Sequence, residues 1–275
     1  MNIQQSRINE KQAAKAFDEQ SVIFDEYYSG NTIIHYKRSR VRQHVLKYLR
    51  PGSNILELNA GTGDDAIFFA TQGHHVHATD ISGGMQQQLK EKVNNAGLNN
   101  LVTNEQISYT QLDTLKNKGP YDLIFSNFAG LNCTGELNKV FQQFASLLKP
   151  GGKVVLVLLP RFCLWELLLI LKGKWKTATR RFFSRNGRKA RVEGISFTCW
   201  YYSPRYVINS MRQNFDVLSL EGLCTCVPPS YIEHFAERHP RSFAMLAAME
   251  HRLKDKWPWN CMGDYYIISL QKRNS

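Results

Sequence analysis

Cysteine is sparse, with six residues in 275 and no Cys-x-x-Cys pair. That excludes a disulfide scaffold and leaves no structural zinc pattern. The nearest approach, Cys224-Thr225-Cys226, has strand spacing and reads as two core thiols. The opening MNIQQSRINEKQ is polar and lacks an apolar core, so no signal peptide is expected there. There is no internal repeat and no low-complexity tract, which excludes solenoids and disordered tails. No uninterrupted apolar run is long enough to cross a bilayer. Val154 to Leu171 comes nearest, but Pro160-Arg161 cuts it and Glu166 interrupts its second half. A buried strand followed by an apolar helix, Phe162 to Leu171, accounts for it better. Acid is in deficit, 23 Asp and Glu against 35 Lys and Arg, for a net charge of +12. That balance points to an anionic partner or surface and carries no information about fold. A cytoplasmic protein is the expectation.

What is present is a change of rhythm. Ala13 to Phe17 and Val41 to Leu49 carry helical spacing, separated by the aromatic-rich piece Phe24 to Asn31 and closed by Pro51-Gly52. From residue 54 onward, short apolar runs alternate with helical spacers. The runs are Ile55 to Leu58, His75 to Thr79, Tyr121 to Ser126 and Val154 to Leu159. The spacers hold Asp65 to Gln72, Gly84 to Ala96 and Leu137 to Leu148. This alternation predicts an α/β fold with a largely parallel, doubly wound sheet and helices on both faces. Past Pro160 the alternation stops until two late strands, Val217 to Gly222 and Asp264 to Gln271, joined by a helical piece from Ser230 to Lys254. The expected organisation is a helical cap over 1–50, a core over 51–160, an insertion over 161–215 within the same domain, and closing elements over 216–275. Such an insertion is commonly a lid or a substrate wall.

Two motifs carry chemistry. In Ile55-Leu56-Glu57-Leu58-Asn59-Ala60-Gly61-Thr62-Gly63, an apolar strand ends in a carboxylate and a small-residue loop opens a helix. Gly61 and Gly63 allow a sharp turn and close approach of a ligand to the loop amides. Asp80 ends the next run, 17 residues beyond Gly63, the place where an acid binds ribose hydroxyls in nucleotide-binding α/β folds. Capping of the helix near Ser82 is the structural alternative for Asp80. These two features alone do not separate nicotinamide nucleotides from S-adenosylmethionine.

Further motifs do. ILELNAGTGDDA, HATDIS with Met85, Gln111-Leu112-Asp113, YDLIFSNFAGLN and LLKPGGK follow one another in an order that resembles the class I S-adenosylmethionine-dependent methyltransferase family over residues 40 to 160. The resemblance implies a Rossmann-like seven-stranded sheet with its last strand antiparallel, here Asp264 to Gln271, and the insertion after the fifth strand. It implies S-adenosyl-L-methionine as cofactor and S-adenosyl-L-homocysteine as product. Glu57 would hold the methionine ammonium, and Asn59, Ala60 and Gly61 the amino-acid tail. Asp80 would take the ribose hydroxyls, Ile81 and Met85 would pack on the adenine, and Asp113, beside Leu112, would accept from the adenine amine. Asn127 and Phe128 would lie near the sulfonium, and Tyr28, among the N-terminal aromatics, would fold over the cofactor. Where the family usually has Gly, this chain has Asn59, a residue that tolerates left-handed backbone angles better than most.

The acceptor is less legible. SNFA lacks the paired prolines of enzymes that methylate base amino groups, which argues against base amino groups and glutamine side chains as targets. Nine Lys and Arg between 172 and 191, with no acid among them, argue for a polyanion. The adjacent Phe162 to Leu171, with Trp175, Phe182 and Phe183, fits an interfacial element or an apolar-substrate lid. A small, apolar or amphiphilic acceptor is therefore the leading expectation, with contact to an anionic membrane surface. An RNA or DNA methyltransferase and a non-catalytic S-adenosylmethionine-binding module are the alternatives. If a general base is needed, His35, Tyr201, His234 and His239 are the candidates, with Tyr202 beside them. His74, His75 and His77 read as structural or exposed, and no metal site is expected.

Overall fold

The computed structural model of the chain describes residues 3–182, 184, 186–232 and 234–274. Seven strands form one sheet in the order β3-β2-β1-β4-β5-β9-β8. They are β1 (Asn54–Leu58), β2 (His75–Asp80), β3 (Val102–Gln106), β4 (Tyr121–Ser126), β5 (Leu148–Leu158), β8 (Phe215–Leu223) and β9 (Tyr265–Lys272). The first five are mutually parallel, and β9 runs antiparallel between β5 and β8. The inner strands are apolar throughout because helices cover both faces.

Side chains alternate between those faces. Ile55, Leu123, Phe125, Val155 and Val157 point toward α3 (Thr32–Leu46), α4 (Asp64–Thr71) and α5 (Gly83–Asn95), meeting Val45, Phe69 and Leu89. Leu56, Ile124, Leu156 and Ile268 point toward α6 (Leu137–Leu147) and, further along the chain, α9 (Pro204–Met211), meeting Phe144, Val207 and Met211. Phe69 and Phe144 are wholly buried, and truncating either to alanine would cost about 3–5 kcal/mol. Side chains start the helices as well. Asn31 accepts from Ile33 N and Ile34 N at 3.0 and 3.1 Å to cap α3, and Ser82 accepts from Met85 N to cap α5.

The chain begins with α1 (Ile3–Gln20) and α2 (Phe24–Ser29), laid across the carboxyl edge of the sheet. Two acids fasten them there. Asp18 accepts from Ser82 Oγ and Gly84 N at 2.5 and 2.8 Å, and Asp25 accepts from Thr62 Oγ1 and Lys92 Nζ at 2.6 and 2.7 Å.

Between β5 and β8 lies the insertion. The expected long apolar helix is short: α7 (Leu164–Leu168) passes into a single 3-10 turn, Leu169–Lys172, ended by left-handed Gly173. After α8 (Trp175–Ala178), the basic stretch folds into a hairpin of β6 (Arg188–Val192) and β7 (Ile195–Cys199). Glu193 and Gly194 at its tip both take positive φ, 44° and 76°, the geometry of a tight hairpin turn. The expected helical piece Ser230 to Lys254 is broken at Pro240 into α10 (Phe235–Arg238) and α11 (Pro240–Leu253).

Cys224 and Cys226 are buried free thiols, but they follow β8 rather than lying on a strand. The backbone N–H groups of residues 224–227 there donate to Glu250 of α11 at 2.9–3.1 Å. Among the described residues, no helix is long and apolar enough to cross a membrane.

Candidate active site

The carboxyl ends of β1, β2 and β4 and the underside of α1 enclose a cleft with about 890 Å³ of empty space, its mouth included. β1 lies where the strand order reverses, so the loops leaving β1 and β4 diverge and open a crevice. Glu57 projects into it. The residue is buried, and its Oε2 has no hydrogen-bond partner among the described residues. Burial, reinforced by Asp65, holds this carboxyl well above the usual range, while Arg38 and Arg42 pull the other way.

The following loop has left-handed backbone at Asn59, Gly61 and Gly63, with φ of 49°, 58° and 83°. Asn59 is accommodated by its side chain. Its Nδ2 donates to Asn127 O at 3.0 Å and its Oδ1 accepts from Ser126 Oγ at 2.8 Å, joining the ends of β1 and β4. A Cβ on Gly130 would fall on the Asn59 side chain, so glycine at 130 makes the room that asparagine at 59 takes.

Asp80 accepts from Gly61 N and Ser82 N, both at 2.9 Å, and burial raises its pKa against those two bonds. The helix that follows is capped by Ser82, not by Asp80. At the end of β4, Asn127 donates to Asp65 at 2.7 Å. Phe128 and Ala129 then turn sharply with φ of 43° and 63°, strained backbone that turns the chain at the crevice. The Arg38 guanidinium lies 5.4 Å from the Phe128 ring centre. Phe17 and Phe24 line the opposite wall, and Tyr109 and Cys133 complete it, their pKa values pushed up by burial.

Comparison with known proteins fits this geometry. A family model described as "Methyltransferase domain" matches residues 55–152, which span β1 to the start of β5. Over that segment the chain is similar to the class I S-adenosylmethionine-dependent methyltransferases. One curated relative, a demethylmenaquinone methyltransferase of Clavibacter sepedonicus, is 28% identical over 53% of this chain and 57% of its own length. The chain thus matches little more than half of that relative. Among solved structures, a geranyl diphosphate C-methyltransferase from Streptomyces coelicolor aligns with a TM-score of 0.56 at 15% identity, covering 87% of this chain and 80% of its own. The [4+2]-cyclase SpnF aligns with a TM-score of 0.54 at 18% identity, covering 86% and 82%. At such identities these two show a shared fold and nothing more.

Nine of the family's expected contact positions converge on the cleft: Glu57, Asn59, Ala60, Gly61, Asp80, Ile81, Met85, Asn127 and Phe128. Four do not. Leu112 is buried against the α6 side of the sheet, and the Asp113 side chain is exposed because the 3-10 turn Tyr109–Thr114 points it outward. Gly63 starts α4 beneath Leu89, where any side chain would collide. Tyr28 lies one helical turn beyond Phe24, and it is Phe24 that reaches the cleft.

None of the proposed bases lines the cleft either. His35 bonds to Ser29 O in an outer groove, His234 and His239 are exposed, and Tyr201 is buried under the Arg181 guanidinium. Tyr202 donates to Thr134 O in the core. The residues that sequence patterns did not reveal are Glu10, Phe17, Arg38, Tyr109 and Cys133. Glu10 and Arg38 sit on helices that bury other polar residues as well, Asn9 on α1 and Lys37 and His44 on α3, and no local spacing distinguishes them.

Proposed function

We propose that the chain transfers the methyl group of S-adenosylmethionine to a small, apolar or amphiphilic acceptor. The observation that carries this is the convergence of a buried carboxylate, Glu57, and a half-buried one, Asp80, with the left-handed loop 59–63 on one cleft. These residues fit the cofactor. Glu57 offers a vacant, desolvated oxygen suited to an ammonium group, and Arg38 offers a cation to the neighbouring carboxylate. Asp80, already oriented by two amides, has lone pairs left for ribose hydroxyls. When bound, the cofactor supplies an activated methyl on a sulfonium.

The protein's own task is then alignment and exclusion of water. Phe128 and the N-terminal aromatics Phe17 and Phe24 provide an apolar approach on which a planar or isoprenoid acceptor can lie. The name of the demethylmenaquinone methyltransferase above supports an apolar acceptor. Titration with S-adenosylhomocysteine tests the cofactor reading, and saturating ligand that gives neither heat nor thermal shift would end it. Methyl-labelled cofactor in an extract of the source cells, partitioned by phase, tests the acceptor. Label in the organic phase supports it, and label in the nucleic-acid fraction replaces it. Bound cofactor with no label in any phase would favour the non-catalytic module.

A second reading concerns where the acceptor is met. The basic stretch is divided in two. Arg180 and Arg181 are committed to Glu166 and Asp264, at 2.6–2.9 Å, and serve the fold. Lys174, Lys176, Arg188, Lys189 and Arg191 are exposed, and so are Leu168, Leu171, Trp175 and Phe182. Phe183 and Arg185 lie outside the described residues. Cations interleaved with exposed apolar side chains suit the surface of an anionic bilayer. Cosedimentation with phosphatidylglycerol vesicles, absent with phosphatidylcholine, is the expected result. Equal behaviour toward both lipids would remove this reading.

A further inference from the structure

We infer that Glu10 is a specificity-determining residue, the acceptor for the adenine amino group of the bound cofactor, supplied by the roof helix α1 rather than by the loop after β3. The inference rests on the methyltransferase reading above.

The argument begins with the order of side chains along the carboxyl edge of the sheet. Asn127 leaves β4, Glu57 sits in β1, Asp80 ends β2, and Ser108 to Thr110 follow β3. A ligand with its amino-acid end at Glu57 and its ribose at Asp80 therefore extends its base toward the exit of β3. The space there is flanked by Ile81, Met85 and Tyr109, all apolar walls of the cleft. The acid expected in that loop, Asp113, points out to solvent.

Glu10 stands in its place. Its Oε2 accepts from Ser108 Oγ at 2.8 Å and Thr110 Oγ1 at 3.0 Å. Its Oε1 is buried and has no partner among the described residues, and Glu10 is one of the residues that line the cleft. The residue is 7% exposed, so water does not satisfy that oxygen freely. Two hydroxyl donors on one oxygen fix the orientation of the carboxylate and leave the other oxygen for a donor on the ligand. Adenine offers one in its exocyclic amine. A 6-keto purine offers an oxygen at the same position, which an ionised carboxylate repels. Burial holds Glu10 above the usual carboxylate range, so discrimination should sharpen as rising pH ionises it.

The test is calorimetric titration of S-adenosylhomocysteine and S-inosylhomocysteine into the wild type, Glu10→Gln and Glu10→Ala. The wild type should prefer the adenosyl ligand. Alanine should weaken adenosyl binding about 10- to 100-fold, the worth of one hydrogen bond to a charged group. Glutamine keeps an acceptor for Ser108 and Thr110 and can donate to a keto oxygen, so it should narrow or invert the preference while retaining the fold. An unchanged adenosyl-to-inosyl ratio in Glu10→Gln overturns the inference. Loss of turnover with that ratio intact also overturns it, by making Glu10 a base for the acceptor. If the wild type binds neither ligand, the methyltransferase reading has failed, and this one with it.

Discussion

The molecule buries two kinds of carboxylate. Around the cleft, Glu10 and Glu57 each have an oxygen without a partner among the described residues, and burial raises their pKa values. Away from it, Glu166 and Glu221 are held by basic side chains, and their pKa values fall below the usual range. Glu166 is gripped by Arg180 and Arg181. Glu221 meets Arg40, His44 and Lys254 at 3.4, 3.0 and 2.5 Å. The second group ties distant segments together. The first group is costly to fold, and in the function proposed above a bound ligand completes it. Burial alone therefore does not separate Glu10 and Glu57 from Glu166 and Glu221, whereas an oxygen left without a partner does.

The largest expected effect falls on the structural group. Arg181→Ala leaves Glu166 and Asp264 buried without their shared cation and should lower stability by about 3–5 kcal/mol, read by denaturant unfolding. An effect below 1 kcal/mol would show that water enters this site. Next comes Glu57→Gln, which should weaken cofactor binding by about 1.5–3 kcal/mol in calorimetry. The same variant should melt higher than the wild type near pH 8. A carboxyl raised by folding contributes its stability below its unfolded value, near 4.5, and loses it as pH rises through the folded one. A lower melting temperature at that pH would place Glu57 with the structural acids.

Asp80→Ala should weaken cofactor binding by a similar 1.5–3 kcal/mol, and an unchanged Kd would contradict its assignment to the ribose. Glu221 gives the opposite pH signature to Glu57. Its contribution is complete above pH 4.5 and drains as pH falls toward its depressed folded value. Glu221→Gln should accordingly flatten the acid limb of the stability profile, and a limb as steep as wild type would remove Glu221 from the account. The smallest effect is at the surface. Lys174→Glu with Lys176→Glu should weaken vesicle association by at least about 1 kcal/mol per site without changing cofactor affinity.

The parallel core was readable because its strands are apolar on both faces and its glycines fall where the backbone must be left-handed. β3 was not, because only Val102 at its start is buried and Thr103, Asn104 and Gln106 are exposed on an edge strand. The β6–β7 hairpin was hidden inside a run of cations, although Glu193-Gly194 was an available turn signal. In the site, residues next to their motif in sequence were legible, as with Glu57, Asn59 and Asp80. Glu10 was not, because its partners Ser108 and Thr110 are about a hundred positions away and helical periodicity carries no record of that meeting. The candidate histidines failed for the converse reason. Residue type alone selected them, and type does not fix direction.

The exchange of volume between Asn59 and Gly130 also limits how this loop can change. With asparagine at 59, alanine at 130 has nowhere to put its methyl. With glycine restored at 59, that space opens, and two bonds between the ends of β1 and β4 are lost. The two positions are therefore not independent, and their substitution energies should depart from additivity. Only one order of change is open, with residue 59 moving before residue 130. A chain that has fixed asparagine first has closed the direct route to any larger residue at 130.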